Sequence, residues 1–122
     1  MSYSQNILAD KSYQFAVIII GVYKEIISKH KEYVLSKQIL KSGTSIGALI
    51  HESEFAQSKA DFINKLSISL KEANETKYWL HLLVDTAYID REQYNKLSAQ
   101  VNELIAILVA SIKTAKKSLN KT

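Results

Sequence analysis

Apolar residues recur at helical spacing through four successive stretches of the chain. The first extends to about residue 29 and carries Phe15, Ile19, Val22, Tyr23 and Ile26 on one side. Its centre, Val17-Ile18-Ile19-Ile20, suits a strand by propensity, but the helical period runs on for turns on either side. The second, 34–55, places Leu35, Ile39, Ile46 and Ile50 along one face. The third, 59–87, follows Phe62, Leu66, Leu70, Ala73, Leu80 and Val84, and its Ser58-Lys59-Ala60-Asp61 entry reads as a capping box. The fourth, 91–118, has a nearly heptad seam of Tyr94, Leu97, Val101, Leu104 and Leu108. Asp90 and Glu92 stand where the helix dipole favours negative charge, and Lys113, Lys116 and Lys117 where it favours positive charge.

Long helices joined by short connections run antiparallel, so the pattern predicts an all-α fold, an antiparallel up-and-down four-helix bundle made of helices at about 6–29, 34–55, 59–87 and 91–118. Ile18, Ile20 and Ile27 leave the main stripe of the first helix, and Ile105, Ile107, Val109 and Ile112 leave the narrow seam of the fourth. A monomeric bundle buries one stripe per helix. The surplus predicts association of copies into a homo-oligomer.

The second helix also holds Gly43 and Gly47, two of the three glycines in a chain without proline. A phosphate-binding loop needs G-x-x-x-x-G-K-[ST] after a strand. Here the glycines are four apart and Gly47 precedes Ala48-Leu49. Each glycine in a helix costs roughly 1 kcal/mol against alanine, and close approach of a neighbouring helix offsets that cost. A hairpin turning near Gln57-Ser58 sets Gly43 across from Ala73, Gly47 across from Ser69, and Ser45 across from Glu72. It also sets Lys41 opposite Glu75 and Glu52 opposite Lys65 as ion pairs. The hydroxyls of Ser42, Thr44 and Ser45 are expected to bond to carbonyls of their own helix or to Glu72.

At 122 residues, 47% hydrophobic and 23% charged, the chain is the size of one domain. It contains no cysteine, so disulfides and thiolate metal sites are excluded and a reducing cytoplasm is the expected setting. The apolar run from Phe15 to Tyr23 is far shorter than the roughly 20 residues that cross a bilayer, and no cleavage site follows it. Neither a membrane span nor a signal peptide is expected.

Catalytic patterns are missing. A di-metal bundle needs Glu-x-x-His, but Ile27, Ala48 and Tyr78 stand three residues before His30, His51 and His81. Glu52, Glu72 and Glu75 have Lys41, Lys65 and Lys71 nearby and read as ion-pair partners. No serine sits beside a histidine in a strained turn. The sequence thus predicts a protein that is not an enzyme and needs no cofactor or metal. His81 has Asp85 one turn on as a partner, while Tyr78 and Trp79 read as core or interface aromatics, with a base-stacking platform beside Lys77 as the sharper alternative.

The net charge is +4, and Arg91 is the one arginine. Lysines act as point charges that suit a phosphate backbone, whereas base edges are read by arginine forks. Lys113, Lys116, Lys117 and Lys121 form the densest basic cluster, with no acid from Ile112 onward. They are the candidate nucleic-acid contacts, expected to bind weakly, with little sequence preference and strong salt dependence.

Four segments, "SGTSIGALI" (42–50), "SKADFINKL" (58–66), "KEANETKYWL" (71–80) and "IKTAKK" (112–117), in this order and spacing, resemble the family called four helix bundle protein, or 23S ribosomal RNA intervening-sequence protein. The resemblance spans about 11–117 and implies a small bacterial cytoplasmic protein with homopentameric relatives. It is also similar to the accessory variability protein of diversity-generating retroelements, which implies nucleic acid and, by analogy, a reverse-transcriptase-like protein as partners. Where the family pattern has Arg, Asn and Ala, this chain has Lys41, Leu49 and His51. The resulting expectation is a homo-oligomeric scaffold that binds RNA. Its rival is a protein-interaction module with no nucleic-acid role.

Overall fold

In the computed structural model, which describes residues 3–120, four helices follow one another: α1 (Tyr3–His30), α2 (Leu35–Ser53), α3 (Lys59–Asp85) and α4 (Arg91–Asn120). They form an antiparallel four-helix bundle in which α2 packs between α1 and α3, and α4 closes the ring against α3 and, over a thinner contact, α1. One ion pair, Lys11 to Glu103 at 3.1 Å, ties α1 to α4.

Each boundary has a local cause. Lys31 adopts the left-handed region at φ 55°, which ends α1 one residue past His30. Glu32 then caps α2 from outside the helix. Its carboxylate accepts from the backbone N–H groups of Val34, Leu35 and Ser36, each at 2.8 Å, and its carbonyl accepts from Ser36 Oγ. Half of the expected box at α3 is present, with Asp61 N–H donating to Ser58 Oγ at 3.0 Å, while the Asp61 carboxylate accepts from Gln57 N–H at 3.2 Å, one residue before the Ser58 N–H that a box would use. Ala87, at φ 66°, turns the chain out of α3, with Tyr88 N–H bonded to Leu83 O and Ala87 N–H to Val84 O, the paired bonds of a Schellman motif. Asp90 caps α4 through Gln93 N–H at 2.7 Å.

The core is one cluster that runs the length of the bundle, from Leu8, Phe15, Ile19 and Ile26 on α1 to Leu97, Leu104 and Leu108 on α4. Between α2 and α3 it is narrow and partly polar. Ser69 Oγ donates to the backbone carbonyl of Ile46 at 2.9 Å, a bond that only helices in close approach can make. Thr76 Oγ1 lies 3.0 Å from Ser42 Oγ and 2.8 Å from Glu72 O. These buried hydroxyls are satisfied within the seam, so they allow tight packing without the cost of an orphaned polar group. Ser69 and fully buried Ala73 do line the α3 side.

The two glycines of α2 serve a different neighbour from the one expected. A β-carbon on Gly43 would meet Ile19 of α1 at 2.9 Å, and one on Gly47 would meet Ser12 of α1, its backbone carbonyl and its hydroxyl both at 3.3 Å. The notch in α2 therefore admits α1. Facing pairs along a hairpin fix height on the bundle axis but not direction around the helix. Ser42 points at α3, and Gly43, about 100° further round, points at α1.

Charges on this seam are also arranged differently. Among the described residues neither Lys41–Glu75 nor Glu52–Lys65 forms an ion pair; apart from Lys11–Glu103, the ion pairs are within single helices, Lys29–Glu25 and Lys96–Glu92, and His81 Nε2 lies 3.2 Å from the Asp85 carboxylate one turn on. Instead Glu72 faces Glu75. Burial raises the Glu72 pKa, hydrogen bonding to Glu75 and its charge raise it further, and Lys71 and Lys41 lower it only in part. Thr44 and Ser45 donate to carbonyls of their own helix, Leu40 and Lys41.

Surplus apolar residues remain on the outside of α1, where Tyr13, Val17 and Ile20 are 71%, 53% and 39% exposed. On α4, Val109 is exposed, Ile105 and Ile107 are half-buried, and Ile112 is buried in the core. By length and composition α4 alone among the described helices is apolar enough to cross a membrane. Its charge-free stretch, between Glu103 and Lys113, covers about 14 Å at the helical rise, less than half of a hydrocarbon core of about 30 Å.

Candidate nucleic-acid interface

The last turns of α4 carry Lys113, Lys116 and Lys117, all exposed and, among the described residues, without an ion-pair partner. Lys121 lies outside the described residues. Because α3 and α4 are antiparallel, the first residue of α3 meets the last turn of α4. Lys59 Nζ donates to Ser118 Oγ there, which adds a fourth lysine to this end of the bundle. Nothing in a linear scan for basic runs marks Lys59, since its own neighbourhood includes Glu52, Glu54 and Asp61.

The turn between α2 and α3 emerges at the same end. Phe55 projects from it with 73% of its surface exposed, and its ring meets the ring of His51 edge to face at 5.4 Å between centroids. His51 in turn lines a groove of about 350 Å³ between α1 and α2, together with Ser12, Tyr13, Gly47 and Glu54. Two exposed rings, His51 and Phe55, thus stand together at this turn, while Tyr13 lines the groove further along α1, near the level of the Lys11–Glu103 ion pair. Small residues at the groove floor, Ala9, Ala16, Gly47 and Ala48, keep it open between the rings.

The other aromatic candidates sit elsewhere. Tyr78 is exposed and stands edge to face on Trp79 at 5.0 Å, but Trp79 packs against the core with its indole nitrogen buried and unpartnered. At the opposite end of the bundle His30 meets Tyr88 edge to face at 5.2 Å, and the guanidinium of Arg91 lies 5.3 Å from the Tyr94 ring. His81 pairs with Asp85 at 3.2 Å. Among the described residues no group of three or more His, Asp or Glu side chains is gathered to hold a metal. Lysines can fix phosphates here, and exposed rings can hold planar apolar groups.

A comparison with curated proteins gives no match. Among solved structures, the chain is similar to a protein of unknown function from the S23 ribosomal protein family of Bacteroides thetaiotaomicron, with 56% identity and a TM-score of 0.89 over 90% of this chain and 98% of that one. Across residues 4–110 the sequence matches the model of the 23S rRNA-intervening sequence protein family. With the bundle, the seam and the match agreeing over most of its length, the chain belongs to the 23S rRNA-intervening sequence protein family.

Proposed function

We propose that this protein is a non-enzymatic, homo-oligomeric helical scaffold that holds RNA or another nucleic acid through phosphate contacts at its lysine end. The observation that carries the reading is the set of three exposed lysines on the last turns of α4, unneutralised by any described acid. Lysines spaced along a helix end suit a chain of phosphates and read no base edges, so binding is weak and tolerant of sequence. The family's name, which refers to 23S rRNA, is in keeping with that partner.

Association rests on the exposed apolar face of α1, Tyr13, Val17 and Ile20, which a solitary bundle leaves in water. Relatives suggested by the sequence resemblance are pentamers, and five copies would repeat the lysine end around one rim. Multiplicity raises the avidity of a weak site without any new contact. The same apolar face supports the rival reading, a module that docks another protein and touches no nucleic acid.

Titration of labelled single-stranded RNA across a salt series tests the reading. Each phosphate contact contributes about 0.7 to the slope of log affinity against log salt for a single strand, so changing Lys113, Lys116 and Lys117 together to Gln should flatten it by about 2. Absence of binding even at low salt removes the nucleic-acid role and leaves the docking module. Light scattering that gives a lone 13.8 kDa chain removes the oligomer.

A further inference from the structure

Phe55 is not part of the hydrophobic core. Its ring is 73% exposed, and the turn around it is held by backbone bonds, Phe55 N–H to Glu52 O at 3.0 Å and Ala56 N–H to Ser53 O at 3.2 Å. An aromatic side chain left mostly in water on a tight turn contributes little to burial. It sits four residues before Lys59, whose ammonium reaches Ser118 beside Lys116 and Lys117. Its ring is buttressed by His51, which is itself exposed and lines the groove between α1 and α2.

We infer that the ligand of this end is a single strand with unpaired bases: the lysines of α3 and α4 follow its phosphates while Phe55 and His51 stack its bases. This rests on the nucleic-acid reading above and narrows it to one substrate class. Along its length a duplex presents phosphates but no free base faces, so there it can use the lysines and not the rings. Single strands offer both, and aromatic stacking tolerates any base.

Charge sorts the two halves of the strand. Lys59, Lys116 and Lys117 lie on the α3/α4 side, whereas Glu52 and Glu54 lie on the α2 side with the rings. Phosphates are repelled from the acids and drawn to the lysines, which turns the bases toward Phe55. Glu54 lines the groove beside His51, where a carboxylate can accept from the exocyclic amine of adenine or cytosine. Asp61 is the remaining acid near the turn, and its carboxylate is engaged by Gln57 N–H.

Fluorescence anisotropy with an adenine RNA oligomer of about 12 nucleotides, inside the range of single-stranded sites, tests this against a blunt duplex of equal length. Phe55→Ala should weaken single-strand binding about tenfold, the loss of roughly one stacked base, with no change in salt slope or in duplex affinity. Phe55→Tyr keeps the ring and should bind as the parent does, and His51→Ala should weaken the single strand alone. Thermal melts of the variants check that the exposed positions leave the fold intact. If Phe55→Ala binds the single strand as tightly as the parent while the triple Lys→Gln variant loses affinity, stacking is overturned and the nucleic-acid reading survives. No binding by the parent overturns both. A change in oligomer mass, or in affinity for anionic vesicles, without a change in RNA affinity assigns Phe55 to a subunit or lipid contact and overturns the inference.

Discussion

Ile19 of α1 occupies the space that a side chain at position 43 of α2 would fill. It is fully buried, and its Cγ2 and Cγ1 stand 2.9 and 3.0 Å from where a β-carbon on Gly43 would lie. A β-branched side chain packed on all sides has few rotamers to retreat into, so the glycine is fixed by its neighbour and not by backbone conformation.

Gly43 and Gly21 should therefore answer an alanine with opposite signs. Gly43→Ala gains roughly 1 kcal/mol of helix propensity but forces Ile19 to move, and overpacking of this kind costs about 1–3 kcal/mol. Net destabilisation of up to about 2 kcal/mol is expected in urea melts. Gly21 is exposed on α1, and a β-carbon there would have no neighbour within 4 Å, so Gly21→Ala should stabilise by about 1 kcal/mol.

The Glu32 cap makes stability depend on acid. Burial acts to raise its pKa, but the N–H groups of Leu35, Ser36 and Val34 together outweigh it and hold the carboxyl below the ordinary glutamate value. A depressed carboxyl stabilises the fold fully above its unfolded pKa and loses that contribution as pH falls through its folded one. Glu32→Ala should cost about 1 kcal/mol at neutral pH, the worth of a helix cap, and the gap to the parent should close in acid. Glu72 works the other way. Its raised pKa costs stability at neutral pH and the cost fades as pH falls, so Glu72→Gln should help by at most about 1 kcal/mol at neutral pH and by nothing in acid. Denaturation curves at several pH values read both signs.

Ala87 holds a left-handed position that glycine adopts without penalty. At φ 66° its β-carbon crowds the backbone, a cost of roughly 1–2 kcal/mol per residue for an ordinary amino acid. Ala87→Gly keeps the two Schellman bonds and relieves the crowding, offset in part by the greater freedom of glycine in the unfolded chain. A gain of about 1 kcal/mol in thermal or urea melts is expected. A loss would mean that the β-carbon packs usefully against the turn.

Height along the bundle was legible in the sequence, and direction around each helix was not. The hairpin register expected Ser69 beside Gly47, and Ser69 bonds to the carbonyl of Ile46, one residue away. Yet neighbouring residues on a helix diverge by about 100°, so Gly43 turned to α1 while Ser42 met Thr76. Lys41 failed to reach Glu75 for the same reason, and Glu72 took up its field. The Ser58 cap of α3 was readable because Ser58 and Asp61 are three apart in the chain. Glu32 was missed because its carboxylate acts from before the residue at which the helix begins. Of the candidate site, the α4 lysines stood in one short run, while Lys59 and the turn that carries Phe55 joined them only when the closing of the bundle brought one helix's start to another's end.

Lysine footprinting tests the nucleic-acid role of this end most directly: acetylation rates are read at each lysine by mass spectrometry with and without saturating single-stranded RNA at low salt. Slowed modification of Lys59, Lys113, Lys116 and Lys117, with Lys24, Lys37 and Lys96 unchanged, is the predicted result. Equal rates at the four lysines with RNA bound, or protection confined to Lys24 and Lys37, would contradict it.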